Sequence, residues 1–371
     1  MSTPQILDSV RNEEKHFLAS LDLYLSDFFL RQETILTKIS SEALPLLNAI
    51  RDLSSGGKRL RALLAYWGWR VAGGKPNARE IIAAGAAIEL FQSAALIHDD
   101  IIDRSDTRRG EPSTHRRFQH MHHESSWRTG SESFGISSAI IAGDLCLTWC
   151  EQVFSSIGVA AGGDTEARTI FDLMRTEVMA GQYLDILGEV VATENNSQAT
   201  SRSRNVLRFK SAKYSCEHPL VLGAALAQKV LSTENDSLLV SLRQFGLPLG
   251  EAFQMRDDVL GVFGESSVTG KPAGDDLREG KRTLLIALTQ QGAPPQEWEL
   301  LDTLLGQQNL TEEQIKHLQQ IIEKSGALAK LEQEIRETGQ TVSETLLSMS
   351  LEEVHREALS NIASRLLHRA S

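Results

Sequence analysis

Residues 80–103, EIIAAGAAIELFQSAALIHDDIID, limit what this chain can become more than any other stretch does. On a helix of 3.6 residues per turn the segment is apolar on almost every side until Asp99, Asp100 and Asp103 close it. Such a helix has no face to give to water, so other elements must surround it. The rest of the chain offers mostly helices for that purpose. Only nine prolines interrupt 371 residues, and alternating β-branched runs are scarce. Phe17, Leu21, Tyr24 and Phe28 mark one apolar helical face; Leu46, Ile50 and Leu53, just after Pro45, mark another. The same periodicity predicts helices over 59–72, 136–158, 165–190, 204–231, 237–262 and 282–290. Several amphipathic helices rich in Glu, Gln and Leu are expected from 296 to the end. Breaks are expected at Gly73-Gly74-Lys75-Pro76, at 119–134, at Ala161-Gly162-Gly163-Asp164 and over the polar stretch 192–203. No repeat, low-complexity tract or composition shift divides the chain, so the reading is one all-α domain over 1–371.

Charge and cysteine content narrow the function. A formal charge of −11 argues against general binding to nucleic acid or acidic membranes. Three cysteines are too few for a disulfide framework. Cys146 and Cys150, a turn apart in LCLTWC, read as buried apolar side chains, and no nearby Cys/His pair suggests zinc. The first residues, MSTPQILDSV, lack a basic flank followed by an apolar run, and no stretch approaches about 20 uninterrupted apolar residues. The expectation is a cytoplasmic protein that is not integral to a membrane.

The carboxylates ending 80–103 need an explanation. Asp99 and Asp103 are four apart and share one helix face, where like charges repel. A divalent cation removes that penalty, and carboxylates bridged to substrate phosphates are the usual Mg²⁺ arrangement. Alone, DDIID reads more readily as a solvated helix end. A second cluster occurs in similar company: 249–262, LGEAFQMRDDVLGV, runs an apolar helix into Asp257 and Asp258. Two such ends could hold Mg²⁺ ions around a diphosphate and stabilise it as a leaving group. Complementary cations are present. Gly56-Gly57-Lys58-Arg59-Leu60-Arg61 puts basic residues at a helix start, and Arg108-Arg109-Gly110 could take phosphate oxygens bidentately. The bland alternatives are an exposed basic turn and local neutralisation of the aspartates. Lys271 and Lys281, after the second cluster, would singly read as solvated.

In this order the stretches closely resemble the trans-isoprenyl diphosphate synthases, the polyprenyl synthetase family. The resemblance runs through GGKRLR, IHDDIIDRSDTRRG, AGDL, GQYLD, FKSAKYS and FQMRDDVLGVFGESSVTGKPAGDDLREGKRT, over about residues 50–290. It implies a single bundle of antiparallel helices around a central cavity, the isoprenoid synthase fold, in a homodimer. It implies head-to-tail condensation of an allylic diphosphate (dimethylallyl, geranyl or farnesyl) with isopentenyl diphosphate, releasing pyrophosphate. Magnesium, as three ions per active site, is implied on Asp99 and Asp103 from one side and Asp257 from the other, with Asp258 a further ligand. Arg108 would hold the allylic diphosphate, with Lys210, Lys271 and Lys281 screening its charge. Lys58, Arg61 and Arg109 would clamp the diphosphate of isopentenyl diphosphate, assisted by Gln92. Gln182 and Asp185 would border the allylic site, and Ser211 and Gln254 would point dipoles at the allylic cation. His98 is expected to be structural, since no general base is called for.

Gly261 stands where many members carry a third aspartate, which leaves metal affinity on that side open. Product length in such enzymes is set just upstream of the first acidic motif. Ala94 and Ala95 are small, and Phe91 is the first large aromatic, about 12 Å down the helix axis from Asp99. A floor at Phe91 implies mainly geranylgeranyl diphosphate, with some farnesyl diphosphate. The alternatives are a farnesyl or longer-chain synthase, a terpene cyclase, and a non-catalytic subunit of a hetero-oligomeric synthase. A cyclase has no need of the isopentenyl diphosphate clamp, and an inert subunit would be expected to lose a motif.

Overall fold

The computed structural model describes residues 3–191, 196–264 and 274–368. In chain order the helices begin with α1 (Thr3–Ile39), α2 (Leu44–Ser54), α3 (Leu60–Val71) and α4 (Arg79–Ile102). A small hairpin follows, β1 (Thr107–Arg108) and β2 (Glu111–Pro112). Next come α5 (Thr114–Glu124), α6 (Ser131–Ser155), α7 (Glu166–Val190) and α8 (Asn196–Val206). A π-helical stretch, Leu207–Glu217, leads into α9 (His218–Leu231) and α10 (Asp236–Phe263). The remainder is α11 (Asp275–Glu279), α12 (Leu284–Gly292), α13 (Pro295–Leu304), α14 (Glu312–Lys324), α15 (Ala327–Ser348) and α16 (Glu353–Leu367). The all-α expectation holds; the hairpin is the only sheet among the described residues.

The chain forms two compact units, residues 1–168 with 222–234, and residues 169–221 with 235–371. In the first, α4 is the buried axis: Ile81, Ala84, Ala87, Ile88, Leu90, Phe91, Ala94 and Ile97 are all inaccessible or nearly so. It packs against α6, α3 and α1, as its all-round apolarity requires. Small residues let its neighbours close in. A β-carbon at Gly85 would lie 3.2 Å from the Phe17 ring of α1, and one at Gly143 of α6 would lie 2.1 Å from His98 Nε2. The AGDL stretch therefore makes room for the His98 imidazole, whose Nε2 meets the Ile140 carbonyl at 3.3 Å and stands 3.7 Å from Asp144 Oδ1.

In the second unit, α10 packs on the π stretch and on α15, with Met255, Val259, Val262, Leu277, Leu284 and Leu285 in the core. The π stretch is embraced by glycines. β-Carbons at Gly181, Gly250 and Gly246 would lie 2.4, 2.3 and 2.9 Å from backbone atoms of Lys210, Ala212 and Glu217.

Three expectations need correction. The helix expected over 204–231 is three segments, the middle one π-helical; what admits its wider turns is glycine on the neighbouring helices α7 and α10, which no local periodicity reports. Residues 196–203, expected in a loop, are helical: α8 is polar, but it lies on α12, where Gln291 Nε2 donates to Thr200 Oγ1 at 2.6 Å. The break expected over 119–134 shrinks to a short turn, because α5 runs to Glu124 and α6 starts at Ser131. Trp127 packs edge to face on both His122 and Phe134 across that turn.

Candidate active site

In the first unit the site is built at the end of α4. Gln92, Ala95, Leu96 and Asp99 recur at helical spacing and are all half-buried, so one strip of this otherwise buried helix remains open. Phe91 and Ala94 lie beside the strip, in the core. Asp103 caps the helix, its N–H donating to the Asp99 carbonyl at 2.8 Å.

The hairpin that follows sorts the tandem arginines. Thr107 pairs with Pro112 and Arg108 with Glu111, leaving Arg109 and Gly110 as a two-residue loop. Both have positive φ, 56° and 82°, as a type I′ turn requires. Arg108 donates through Nε to Asp100 Oδ1 at 2.9 Å, a bond its Nη2 reinforces, and Nη2 also stands 3.8 Å from Asp99 Oδ2. Asp100 is 1 % exposed, so a buried carboxylate orients this guanidinium.

Arg109 turns elsewhere. Its Nη1 donates to the Leu53 carbonyl at 3.1 Å, and the guanidinium lies flat on Gly56 and Gly57. A β-carbon at either glycine would come within 2.9 or 2.7 Å of it, and Gly57 has φ +101°. Burial lowers the pKa of this guanidinium, an effect the charge of Glu89 opposes. The glycine turn that holds Arg109 continues into Lys58, which is exposed and without an ion pair among the described residues, and the first turn of α3 then carries the half-buried Arg61. Arg59, between them, faces inward to Glu89 and Asp22, both at 3.1 Å, and belongs to the scaffold.

In the second unit, α7 carries Gln182 and Asp185, and the π stretch carries Lys210 and Ser211. Lys210 Nζ donates to Asp185 Oδ2 at 2.5 Å. Gln182 Nε2 is buried without an acceptor among the described residues, an amide donor available to a ligand oxygen. A cavity of about 340 Å³ opens beside Asp185, lined also by Glu189, Arg202, Arg282, Ile286 and Trp298.

On α10, Asp257 is exposed while Asp258 points inward and accepts from Gln254 Nε2 at 2.8 Å. Burial pushes the Asp258 carboxyl well above the usual range, and Asp276 and Asp257 add to the rise. Asp276 itself, from the first turn of α11, fills the space beside Gly261: a β-carbon there would lie 1.9 Å from Asp276 Oδ2. Lys281 Nζ stands 3.5 Å from Asp276 and 2.5 Å from Glu279. Lys271 lies outside the described residues.

Sequence reasoning missed Asp100 as the anchor of Arg108, and Asp276 as a third carboxylate in the second cluster. The first was signalled by an acidic residue inside an apolar helix end; the second had no local signal.

These carboxylates are hard oxygen donors of the kind magnesium takes. Among the described residues no three His, Cys, Asp or Glu side chains gather tightly enough to enclose a metal. The donor set fits a hydrated ion bridged to phosphate by one or two carboxylates, and does not fit an all-protein cage.

An all-helical chain with two acidic helix ends and clustered cations defines a class of enzyme that handles diphosphates. The polyprenyl synthetase family model matches residues 45–322, and the chain belongs to this family of trans-prenyl diphosphate synthases. A solved geranylgeranyl pyrophosphate synthase from Corynebacterium glutamicum, complexed with isoprenyl diphosphate and magnesium, is 36 % identical. It aligns over 95 % of this chain and 99 % of its own with a TM-score of 0.88, so the isoprenoid synthase fold is shared. The geranylfarnesyl diphosphate synthase of Aeropyrum pernix is 30 % identical over 85 % of this chain and 88 % of its own. The geranylgeranyl diphosphate synthase of Saccharolobus solfataricus is 30 % identical over 73 % and 74 %.

Proposed function

We propose that this protein is a magnesium-dependent prenyl diphosphate synthase that extends allylic diphosphates with isopentenyl diphosphate, mainly to geranylgeranyl diphosphate. The observation that carries the reading is the divergence of Arg108 and Arg109: one is held on Asp100 beside Asp99, the other on Gly56-Gly57 beside Lys58. Two cationic grips, one anchored on the Asp100 carboxylate and one on a glycine turn, suit a reaction of two diphosphates of which one departs. A cyclase, with a single diphosphate, has no use for the second grip.

Asp99, Asp103 and Asp257 would hold magnesium, which when bound neutralises charge on the allylic diphosphate. Arg108, Lys210 and Lys281 would bind the same diphosphate and stabilise it as it leaves, in a preorganised site. Lys58, Arg61 and Arg109, with Gln92, would fix isopentenyl diphosphate so that its double bond meets the allylic carbon. Breaking the carbon–oxygen bond would leave an allylic cation and pyrophosphate; the double bond of isopentenyl diphosphate would then attack the cation, and the departing pyrophosphate would take the proton lost by the condensed product. Gln254, its nitrogen committed to Asp258, is left with a carbonyl oxygen to direct at the allylic cation, and Ser211 adds a second dipole. The open strip of Gln92, Ala95 and Leu96 would receive the hydrocarbon tail, and the C. glutamicum and S. solfataricus relatives support the twenty-carbon product.

A homodimer in the cytoplasm completes the proposal. By length and composition α4 and α6 could each cross a membrane, but the apolar window of α4 is 72 % buried in the core and that of α6 44 %. The exposed apolar residues of α6, Ile140 and Ile141, suit contact with a second copy. The test incubates the purified protein with Mg²⁺, labelled isopentenyl diphosphate and each of three allylic primers, then sizes the dephosphorylated products. Twenty-carbon product is expected. Cyclised hydrocarbon, or no incorporation with any primer, would refute the reading.

A further inference from the structure

The second unit carries a ladder of interactions between α7 and the π stretch that the roles above leave unused. Glu177, Gly181 and Asp185 are spaced by four and share one face of α7. At the near end Asp185 takes the Lys210 ammonium at 2.5 Å. In the middle Gly181 lies against the Lys210 backbone, where a β-carbon would come within 2.4 Å of its nitrogen. At the far end Glu177 Oε1 accepts from Lys213 Nζ at 2.7 Å and Oε2 meets His218 Nε2 at 2.6 Å. His218 is 1 % exposed, while Glu177 and Lys213 are each 16 % exposed. One carboxylate therefore ties together a residue inside the π stretch and the first residue of α9.

A π-helix is rare and wide-turned, and its register persists only where surrounding contacts impose it. We propose that Glu177 is a positioning residue for Lys210: by holding Lys213 and His218 at once it pins the π stretch in the register that delivers the Lys210 ammonium to Asp185. This rests on the reading that Lys210 contacts the allylic diphosphate. Glu177 touches no substrate and acts through Lys210 alone.

The test is a double-mutant cycle of Glu177→Gln and Lys210→Met, with KM measured separately for the allylic and isopentenyl substrates. Glu177→Gln is expected to raise the allylic KM about tenfold and leave the isopentenyl KM within twofold. In the Lys210→Met background the same change is expected to add nothing. A Glu177→Gln effect that persists in that background, or that raises both KM values together, overturns the proposal. If Lys210→Met alone leaves the allylic KM unchanged, the assignment of Lys210 fails and this inference falls with it. Should Glu177→Gln not fold, Glu177→Asp, which keeps the charge but shortens the reach, enters the same cycle with a smaller allylic shift expected.

Discussion

Restoring the family's third aspartate should weaken this protein. Gly261→Asp places a β-carbon 1.9 Å from Asp276 Oδ2 and 2.4 Å from its Cγ, where ordinary contact begins at 3.4 Å. The Asp276 carboxylate must therefore give way by about 1.5 Å, swinging out of its packed position, and overpacking of that order costs roughly 1–3 kcal/mol. A fourth carboxylate also joins Asp257, Asp258 and Asp276; one like-charge pair at 4 Å costs up to about 4 kcal/mol at an effective dielectric near 20. Together these effects should lower the melting temperature by roughly 5 °C or more in a metal-free buffer. Added Mg²⁺ offsets the charge and recovers part of the loss, but the steric part stays. Differential scanning fluorimetry with and without Mg²⁺, and a Mg²⁺ titration of activity, read the two parts separately. Gly261→Asp combined with Asp276→Ser should regain most of the stability. A single variant that melts within 1 °C of the parent and needs less Mg²⁺ would show that Asp276 does not occupy this space, and the reasoning would be wrong.

Gly57→Ala strains a backbone at φ +101° and pushes the Arg109 guanidinium aside, so KM for isopentenyl diphosphate should rise about 10–100-fold, the worth of one charge-assisted hydrogen bond. Gly56→Ala, without the strained φ, should raise that KM less and leave the melting temperature unchanged; steady-state kinetics with each substrate varied in turn checks both. Asp258→Asn should stabilise the protein at neutral pH. The Asp258 carboxyl is raised by burial, so its ionisation costs stability as pH climbs from the usual carboxylate range through the raised value. The advantage of the variant should vanish near pH 4, measured by urea melts across pH. Phe91→Ala should shift product toward twenty-five carbons or more, read by chromatography of dephosphorylated products; an unchanged length would remove Phe91 as the floor.

Much of this was legible in the sequence, because a helix buried on every side and a carboxylate at its end leave marks in the residues themselves. α4 and α10 fall within a residue or two of their expected bounds, since apolar periodicity reports burial directly. The partners across elements were not legible. Asp276 reaches Gly261 from another helix, and nothing in GDDLREG says which of its carboxylates will do so. The π stretch was hidden for a similar reason: FKSAKYS has ordinary helical chemistry, and the space it needs is written in Gly181, Gly246 and Gly250 on its neighbours. Asp100 was visible as a charge but not as an anchor, because its partner Arg108 returns only through the hairpin.

That hairpin makes the two cationic grips hostage to a single reversal of chain direction. Arg108 and Arg109 are adjacent, yet the loop of Arg109 and Gly110 sends them to different anchors, Asp100 and the Leu53–Gly57 turn. Losing or gaining one residue there would swap or scramble both destinations at once. In the proposed two-substrate reaction, the length of this one loop is therefore constrained in a way that the length of a loop carrying neither arginine is not.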